Sequence, residues 1–294
     1  MFLKKKYIKK NNKSAFTIIE LSIVILVISV MVVGVATGKS LITKARLANA
    51  KSLTRQSVIN DMGDDLIAWY ETSLEGSFKE SETKTDGSAI TLWKDSNKNA
   101  VNKNDATAVV SPTLVQNVFY NSIPGVRFTG TQYLTFNGSK FAKNSYTVFV
   151  VEQRSSGKNE NLFIGGTGST TNSNLILGYG ADTTISFGHY GNEFPIGTES
   201  YKSLIPKIHT FSFNNSVGKS YSVNGKSITA NNPAQTDSLI SFNGAMIGRY
   251  NPDGYPRTYV GDLAEIIMFK RSLKTEEVEA IESYLGSKYG IPVS

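Results

Sequence analysis

Gly261-Asp262-Leu263-Ala264-Glu265-Ile266-Ile267-Met268-Phe269 lies near the C-terminus, and the stretch from Leu273 to Tyr289-Gly290-Ile291 follows it. The surrounding run, Tyr259–Lys270, is rich in apolar and β-branched residues, the composition of a strand. Beyond it the period changes. Glu276 and Glu277 stand where a first helical turn favours acids, and Val278, Ile281 and Leu285 recur at helical spacing before Gly290-Ile291-Pro292 ends the pattern. A strand followed by a closing helix therefore completes this part of the chain.

Upstream of that closure, from Leu66 onward, short runs of Val, Ile, Phe, Tyr and Thr alternate with Asn, Gly, Ser and Asp clusters. This is the pattern of an all-β sandwich. It places strands at Leu66–Tyr70, Ile90–Lys94, Val126–Phe128, Tyr133–Phe136, Tyr146–Glu152, Asn161–Ile164, Leu175–Tyr179, Thr184–Gly188, Lys207–Asn214, Lys219–Val223, Lys226–Thr229 and Ala245–Gly248, besides Tyr259–Lys270. Ser222-Val223-Asn224-Gly225-Lys226 is the clearest hairpin, because Asn-Gly suits a type I′ turn. Trp69 and Trp93 fall within apolar stretches and are expected in the core.

Several of these segments carry a resemblance. Leu66-Ile67-Ala68-Trp69-Tyr70 with Leu92-Trp93-Lys94-Asp95-Ser96 resembles the opening of laminin-G-like, concanavalin A-like lectin/glucanase domains. Val126-Arg127-Phe128-Thr129-Gly130 and Tyr146-Thr147-Val148-Phe149 match their middle strands, and Gly261–Phe269 with Leu273–Ile291 matches their closure. The resemblance spans nearly all of residues 66–291 and implies a concanavalin A-like jelly roll. It leaves the ligand open, since one sandwich hosts lectins, hydrolases and adhesion modules.

Hydrolases of that superfamily need carboxylates paired on one strand face, at i, i+2 or i+4. No strand here carries such a pattern, and Asp262 and Glu265, three apart, are expected on opposite faces. Glu276, Glu277, Glu279 and Glu282 belong to the closing helix, and His189 and His209 have no triad context. No catalytic residue and no enzymatic activity are expected. Asp95-Ser96-Asn97-Lys98-Asn99 has the alternating oxygens of a calcium loop, but Ala100 and Ala106 replace its glycine and glutamate. It is read as a turn, with no cofactor and no metal site assigned and a calcium site from distant loops left open. The candidate ligand-binding surface is Arg249-Tyr250-Asn251-Pro252-Asp253-Gly254-Tyr255-Pro256-Arg257-Thr258-Tyr259, with Gly188–Phe194 as a shorter example. Arg249, Tyr250, Tyr255, Arg257 and Tyr259 offer aromatic faces and donors for a glycan. The alternative is that Tyr250 and Tyr259 bracket a hairpin and pack on the sandwich edge.

The N-terminus carries a different message. Residues 1–15 hold six lysines and no acid, and Leu21–Gly38 is a run of eighteen uncharged residues. One carboxylate, Glu20, sits at the mouth of that run, although hydrocarbon penalises a charge by roughly 2.5–3.5 kcal/mol. A secretory signal fits the basic leader, with Val35-Ala36-Thr37 as a weak cleavage site, but leaves Glu20 out of place. A plain membrane anchor fits the length and also leaves Glu20 unexplained. Ala15-Phe16-Thr17-Ile18-Ile19-Glu20-Leu21 resembles the class III signal of type IV prepilins and type II secretion pseudopilins, where the first residue is usually Gly. That resemblance implies cutting between Ala15 and Phe16 by a prepilin peptidase at the inner membrane, and methylation of the Phe16 amine. It also implies an assembly role for Glu20, which would meet that amine on its own chain or on another subunit.

Charge agrees with this division. The chain is +7, the six leader lysines account for all but +1, and residues 66–294 hold 20 basic and 20 acidic side chains. A basic excess that leaves with the leader gives no nucleic-acid surface. Two histidines and no cysteine exclude thiol nucleophiles, zinc fingers and disulfide scaffolds.

The expected architecture is α+β. Residues 1–15 form a leader, 16–65 one transmembrane and amphipathic helix of about 75 Å, and 66–294 a mainly antiparallel sandwich with a short C-terminal helix. The expected role is a pilin-like or pseudopilin subunit of the bacterial inner membrane. It would assemble with other such subunits into a pilus or periplasmic pseudopilus and display its head toward a surface glycan or protein. The alternative is a membrane-anchored lectin that does not assemble.

Overall fold

The long helix α1 (Ile18–Arg55) opens the described chain. The structure, a computed structural model, describes residues 18–155, 161–181, 184–197, 204–228, 235–251 and 254–294. Contacts divide the chain into two compact units between Lys44 and Ala45. In the first unit α1 is apolar and exposed, and it is long and apolar enough to cross a membrane. Two serines of the apolar run bond back to the helix: Ser22 Oγ donates to the Ile19 carbonyl at 2.8 Å and Ser29 Oγ to the Ile25 carbonyl at 2.7 Å.

The second unit, Ala45–Ser294, holds the sheets. One sheet runs in the order β14 (Lys226–Ile228), β13 (Gly218–Val223), β12 (Lys207–Asn214), β7 (Tyr146–Arg154), β18 (Val260–Phe269), β5 (Ile123–Thr129) and β4 (Thr113–Phe119). β1 (Leu66–Glu71) also belongs to it, pairing with the second half of β18 while β5 pairs with the first. The other sheet runs β11 (Asn192–Gly197), β10 (Thr184–His189), β9 (Leu175–Ala181), β8 (Asn161–Gly165), β15 (Met246–Ile247), β6 (Tyr133–Thr135), β3 (Ala106–Val110) and β2 (Leu92–Trp93). A ribbon of β16 (Arg249–Tyr250) and β17 (Arg257–Thr258) stands apart. The pairings are antiparallel, and α2 (Thr275–Tyr289) is the short closing helix.

Two apolar layers follow from the alternation of strand side chains. Leu263, Ile266 and Met268 of β18 join Val148, Val150, Phe163, Leu177 and Trp93 in one core. Ala264, Ile267 and Phe269 join Ala50 and Leu53 of α1 with Ile281, Leu285 and Tyr289 of α2 in the other. The first core lies between strands of the two sheets, and the second lies under the helices. Trp69 and Trp93 are both buried.

The expected helix to Asp65 is corrected. α1 stops at Arg55, and Val58–Asp65 is a 3-10 helix with Ser57 as its cap. Asn60 Nδ2 donates to the carbonyls of Thr54, Arg55 and Ser57, taking up acceptors that a continuing helix would have used. The predicted hairpin forms with Asn224 at φ 51° and Gly225 at φ 80°, both positive as a type I′ turn requires. α2 ends on Gly290 at φ 64°, where an alanine Cβ would also come within 2.7 Å of the Tyr120 ring.

Candidate functional site

The processing residues Ala15 and Phe16 lie outside the described residues. Glu20 is in the first turn of α1 and is exposed, as are its apolar neighbours Ile18, Ile19, Leu21 and Ile23. An acid in a first turn is favoured by the helix dipole. The exposed apolar surface around it needs a covering of lipid or protein.

The aromatic segment from Arg249 to Tyr259 splits between interior and surface, and Pro252 and Asp253 lie outside the described residues. Tyr259 is fully buried and its hydroxyl donates to Glu152 Oε2 at 2.6 Å. Tyr250 is also buried, packed on Gly165, where a Cβ would meet it at 2.4 Å. Tyr255 is 71% exposed. The Arg257 guanidinium stacks 5.3 Å over Tyr250, and that of Arg249 lies 4.7 Å over Tyr133. Arg249 pairs with Thr258 and Tyr250 with Arg257, so the two arginines stand on opposite faces of the ribbon. Tyr255 is thus exposed and Arg257 half-buried over Tyr250, whereas Tyr250 and Tyr259 build the interior. In the shorter loop His189 is buried, with Nε2 3.0 Å from the Tyr146 hydroxyl.

Two ionic clusters that sequence spacing does not reveal lie inside the second unit. Glu152, on β7, accepts from Tyr179 at 2.7 Å and Tyr259 at 2.6 Å, with His209 Nε2 at 3.0 Å. Burial pushes the Glu152 carboxyl up, but His209 and the two phenols outweigh it and hold it below the usual range. The Arg154 guanidinium stacks 4.1 Å over the Tyr179 ring. The second cluster joins three elements. Glu71 and Glu265 are cross-strand partners on β1 and β18, and Lys288 of α2 donates to both, at 3.2 and 2.7 Å. Trp69 Nε1, Tyr284 and Tyr289 also donate to Glu265, at 2.7, 2.9 and 2.8 Å. Burial pushes the Glu71 carboxyl up, and Lys288 with Ser73 and Ser77 brings it below its ordinary value.

A bulge explains how Glu265 reaches this place. The pairing of β18 with β7 shifts between Leu263 and Glu265, so Ala264 and Glu265 both face the helices. Asp262 shares that face, beside Phe119, and forms a two-pronged pair with Arg127 at 2.8 and 2.9 Å. The expectation that Asp262 and Glu265 face opposite ways is therefore corrected.

The Asp95–Asn99 stretch is built as a turn. Asp95 Oδ1 accepts from the Trp69 and Asn97 amides, both at 3.0 Å, and Oδ2 from the Asn104 amide at 3.2 Å. No cluster of three or more His, Cys, Asp or Glu side chains suited to a metal occurs among the described residues. Clefts of about 460 and 490 Å³ are both lined in part by residues of the segment 95–105.

No protein-family model matches the chain, and no curated protein matches it. Solved structures do. A Trypanosoma rangeli sialidase in complex with sialic acid aligns at 15% identity and TM-score 0.52, over 79% of this chain and 34% of that one. The same sialidase with 2,3-difluorosialic acid gives 13% identity and TM-score 0.54, again over 79% and 34%. Domain 4 of AbnA, an extracellular GH43 arabinanase from Geobacillus stearothermophilus in complex with arabinotriose, gives 14% identity and TM-score 0.53, over 73% of this chain and 96% of that domain. The chain thus spans about a third of the sialidase. These likenesses are of fold. They overturn the exclusion of enzymes drawn from spacing, since this fold occurs within chains of carbohydrate-active enzymes. Spacing along single strands is also a poor guide, because neighbouring strands bring distant carboxylates together, as the buried Glu71 and Glu265 illustrate.

The chain therefore combines a long exposed apolar helix with a mainly antiparallel β unit, of a fold shared with a segment of a sialidase and with a domain of an arabinanase.

Proposed function

We propose that this chain is a type IV pilin-like or pseudopilin subunit of the bacterial inner membrane. It assembles through α1 and displays a concanavalin A-like jelly-roll head that binds a glycan. The observation that carries this reading is Glu20, a lone carboxylate at the entrance of an exposed apolar helix, behind a lysine-rich leader. Cleavage before Phe16 by a prepilin peptidase creates an ammonium on the first residue of a chain whose fifth is Glu20, and pairing between them on the same or a neighbouring subunit offsets the cost of desolvating both. The positive leader keeps residues 1–15 cytoplasmic. Support for glycan binding comes from the arabinanase domain solved with arabinotriose, which has the same fold.

Glu20→Ala separates this role from that of a membrane-anchored lectin. The variant is expected to insert in the membrane at wild-type level and to be missing from sheared filaments or pseudopili, as read by immunoblotting of both fractions. Normal incorporation of the variant would overturn the assembly mechanism.

A further inference from the structure

Residues of the segment 95–105 line both clefts, and Lys103 is common to the two. The segment is fixed on both sides. Asn97 Nδ2 donates to the Gly63 carbonyl at 2.9 Å, and Lys103 Nζ donates to the Asn97 carbonyl. Asn104 exchanges two bonds with Asn137, donating from Nδ2 to its carbonyl at 2.9 Å and accepting at Oδ1 from its amide at 2.8 Å. Gly63 is required for this closeness, because a Cβ there would come within 2.5 Å of Asn99 Nδ2.

Bases outnumber acids along this ridge: Arg55, Lys94, Lys98, Lys103 and Lys140 line the clefts with Asp64, Glu75, Asp95 and Asp105. Asp95 is buried, with both oxygens turned to backbone amides, and Asp105 Oδ1 accepts from the Asp95 amide at 2.8 Å. Glu75 is shared between Lys51 at 2.5 Å and Arg55 at 3.1 Å, which leaves that trio positive. The ammonium groups of Lys94, Lys98 and Lys140 have no carboxylate partner among the described residues, and Lys98 and Lys140 are exposed. Among the lining acids Asp64 and Glu75 are exposed, and Glu75 is already paired with Lys51 and Arg55. The outward field is therefore positive although residues 66–294 are neutral in sum. The side chains of Asn99 and Asn102, exposed on the same ridge, each present a donor and an acceptor.

We propose that this ridge is the docking site for an anionic polysaccharide, a repeating saccharide that bears carboxylate or sulfate groups. The proposal deepens the glycan-binding reading of the head and rests on it. Ammoniums spaced along a rigid ridge suit a polymer whose charges repeat, and the amides suit its hydroxyls. Such binding releases counterions and weakens as salt rises.

The test uses the full-length protein in detergent with four immobilised probes: dextran, carboxymethyl-dextran, dextran sulfate and duplex DNA. Binding is expected to both charged dextrans, at least about tenfold tighter than to neutral dextran, and to fall steeply between roughly 50 and 200 mM salt. The triple variant Lys94→Ala/Lys98→Ala/Lys140→Ala should lose on the order of tenfold in affinity, with an unchanged circular dichroism spectrum. Tyr255→Ala/Arg257→Ala should bind as wild type. Equal binding to neutral dextran, or loss only in the Tyr255/Arg257 variant, would overturn the ridge and leave glycan binding standing. Tighter binding to DNA would replace the polysaccharide with nucleic acid. Binding to no dextran at all would sink both the ridge and the glycan reading.

Discussion

At the scale of single residues, His189 shows how burial sets a charge state. Its Nδ1 lies 2.8 Å from the Asp237 carbonyl, which can only accept, so Nδ1 carries the proton and Nε2 accepts from the Tyr146 hydroxyl. Burial pushes its pKa down to about 3, and the nearby Lys219 ammonium adds to the shift. The unfolded chain takes up a proton near the ordinary value of 6.5, which the folded chain refuses until about 3. Stability from this residue is therefore complete above the unfolded value and drains away as pH falls, by up to about 1.4 kcal/mol per pH unit. Denaturant midpoints should show a loss of about 2 kcal/mol between pH 7 and 5, in a range where ordinary carboxylates are still ionised. His209 is shifted in the same direction by burial, against the pull of Glu152, and steepens the profile. His189→Asn should flatten it, and a flat wild-type profile would contradict the buried neutral assignment.

At the scale of elements, Lys288 ties α2 to β1 and β18. It has no exposure to water and sits between two carboxylates that are equally buried. Tyr284 extends the cluster to the last turns of α1, with its hydroxyl 3.2 Å from Thr54 Oγ1. Removing one partner of a buried ion cluster costs about 3–5 kcal/mol, because the remaining charges lose compensation. Lys288→Met should lose stability of that size in urea titrations, and adding Glu71→Gln and Glu265→Gln should recover part of it. A Lys288→Met protein as stable as wild type would show that the cluster is not ionic.

These elements also show what the sequence makes legible. β12 begins at Lys207 and ends at Asn214 as its apolar and β-branched run predicts, and β1, β7, β18 and α2 fall within a few residues of their predicted ends. Other strands escape the pattern for identifiable reasons. β4 contains Asn117 at φ 56°, and its pairing with β5 shifts between Val115 and Phe119, which hides its alternation. β11 carries Pro195, tolerated because the strand lies at the edge of its sheet. Of the candidate loop, composition gives the aromatics and arginines but not their depth: Tyr259 points at Glu152, a residue more than a hundred positions away. The Glu71–Glu265–Lys288 cluster was equally hidden, since its register depends on a bulge at Ala264 that no spacing rule reveals. Local periodicity fixes elements; contacts between distant segments fix sites.

At the scale of the whole molecule, chemistry is partitioned along the chain. Residues 1–15 hold nearly all the net charge, α1 holds the apolar surface and Glu20, and residues 66–294 hold balanced charge on a sheet-built unit. The central proposal is that residues 1–15 are removed and that the new Phe16 ammonium then becomes available to Glu20. N-terminal sequencing with intact-mass analysis of the mature protein tests this most directly. The account predicts a chain starting at N-methylated Phe16, and a chain starting near Thr37 or retaining Met1 would contradict it.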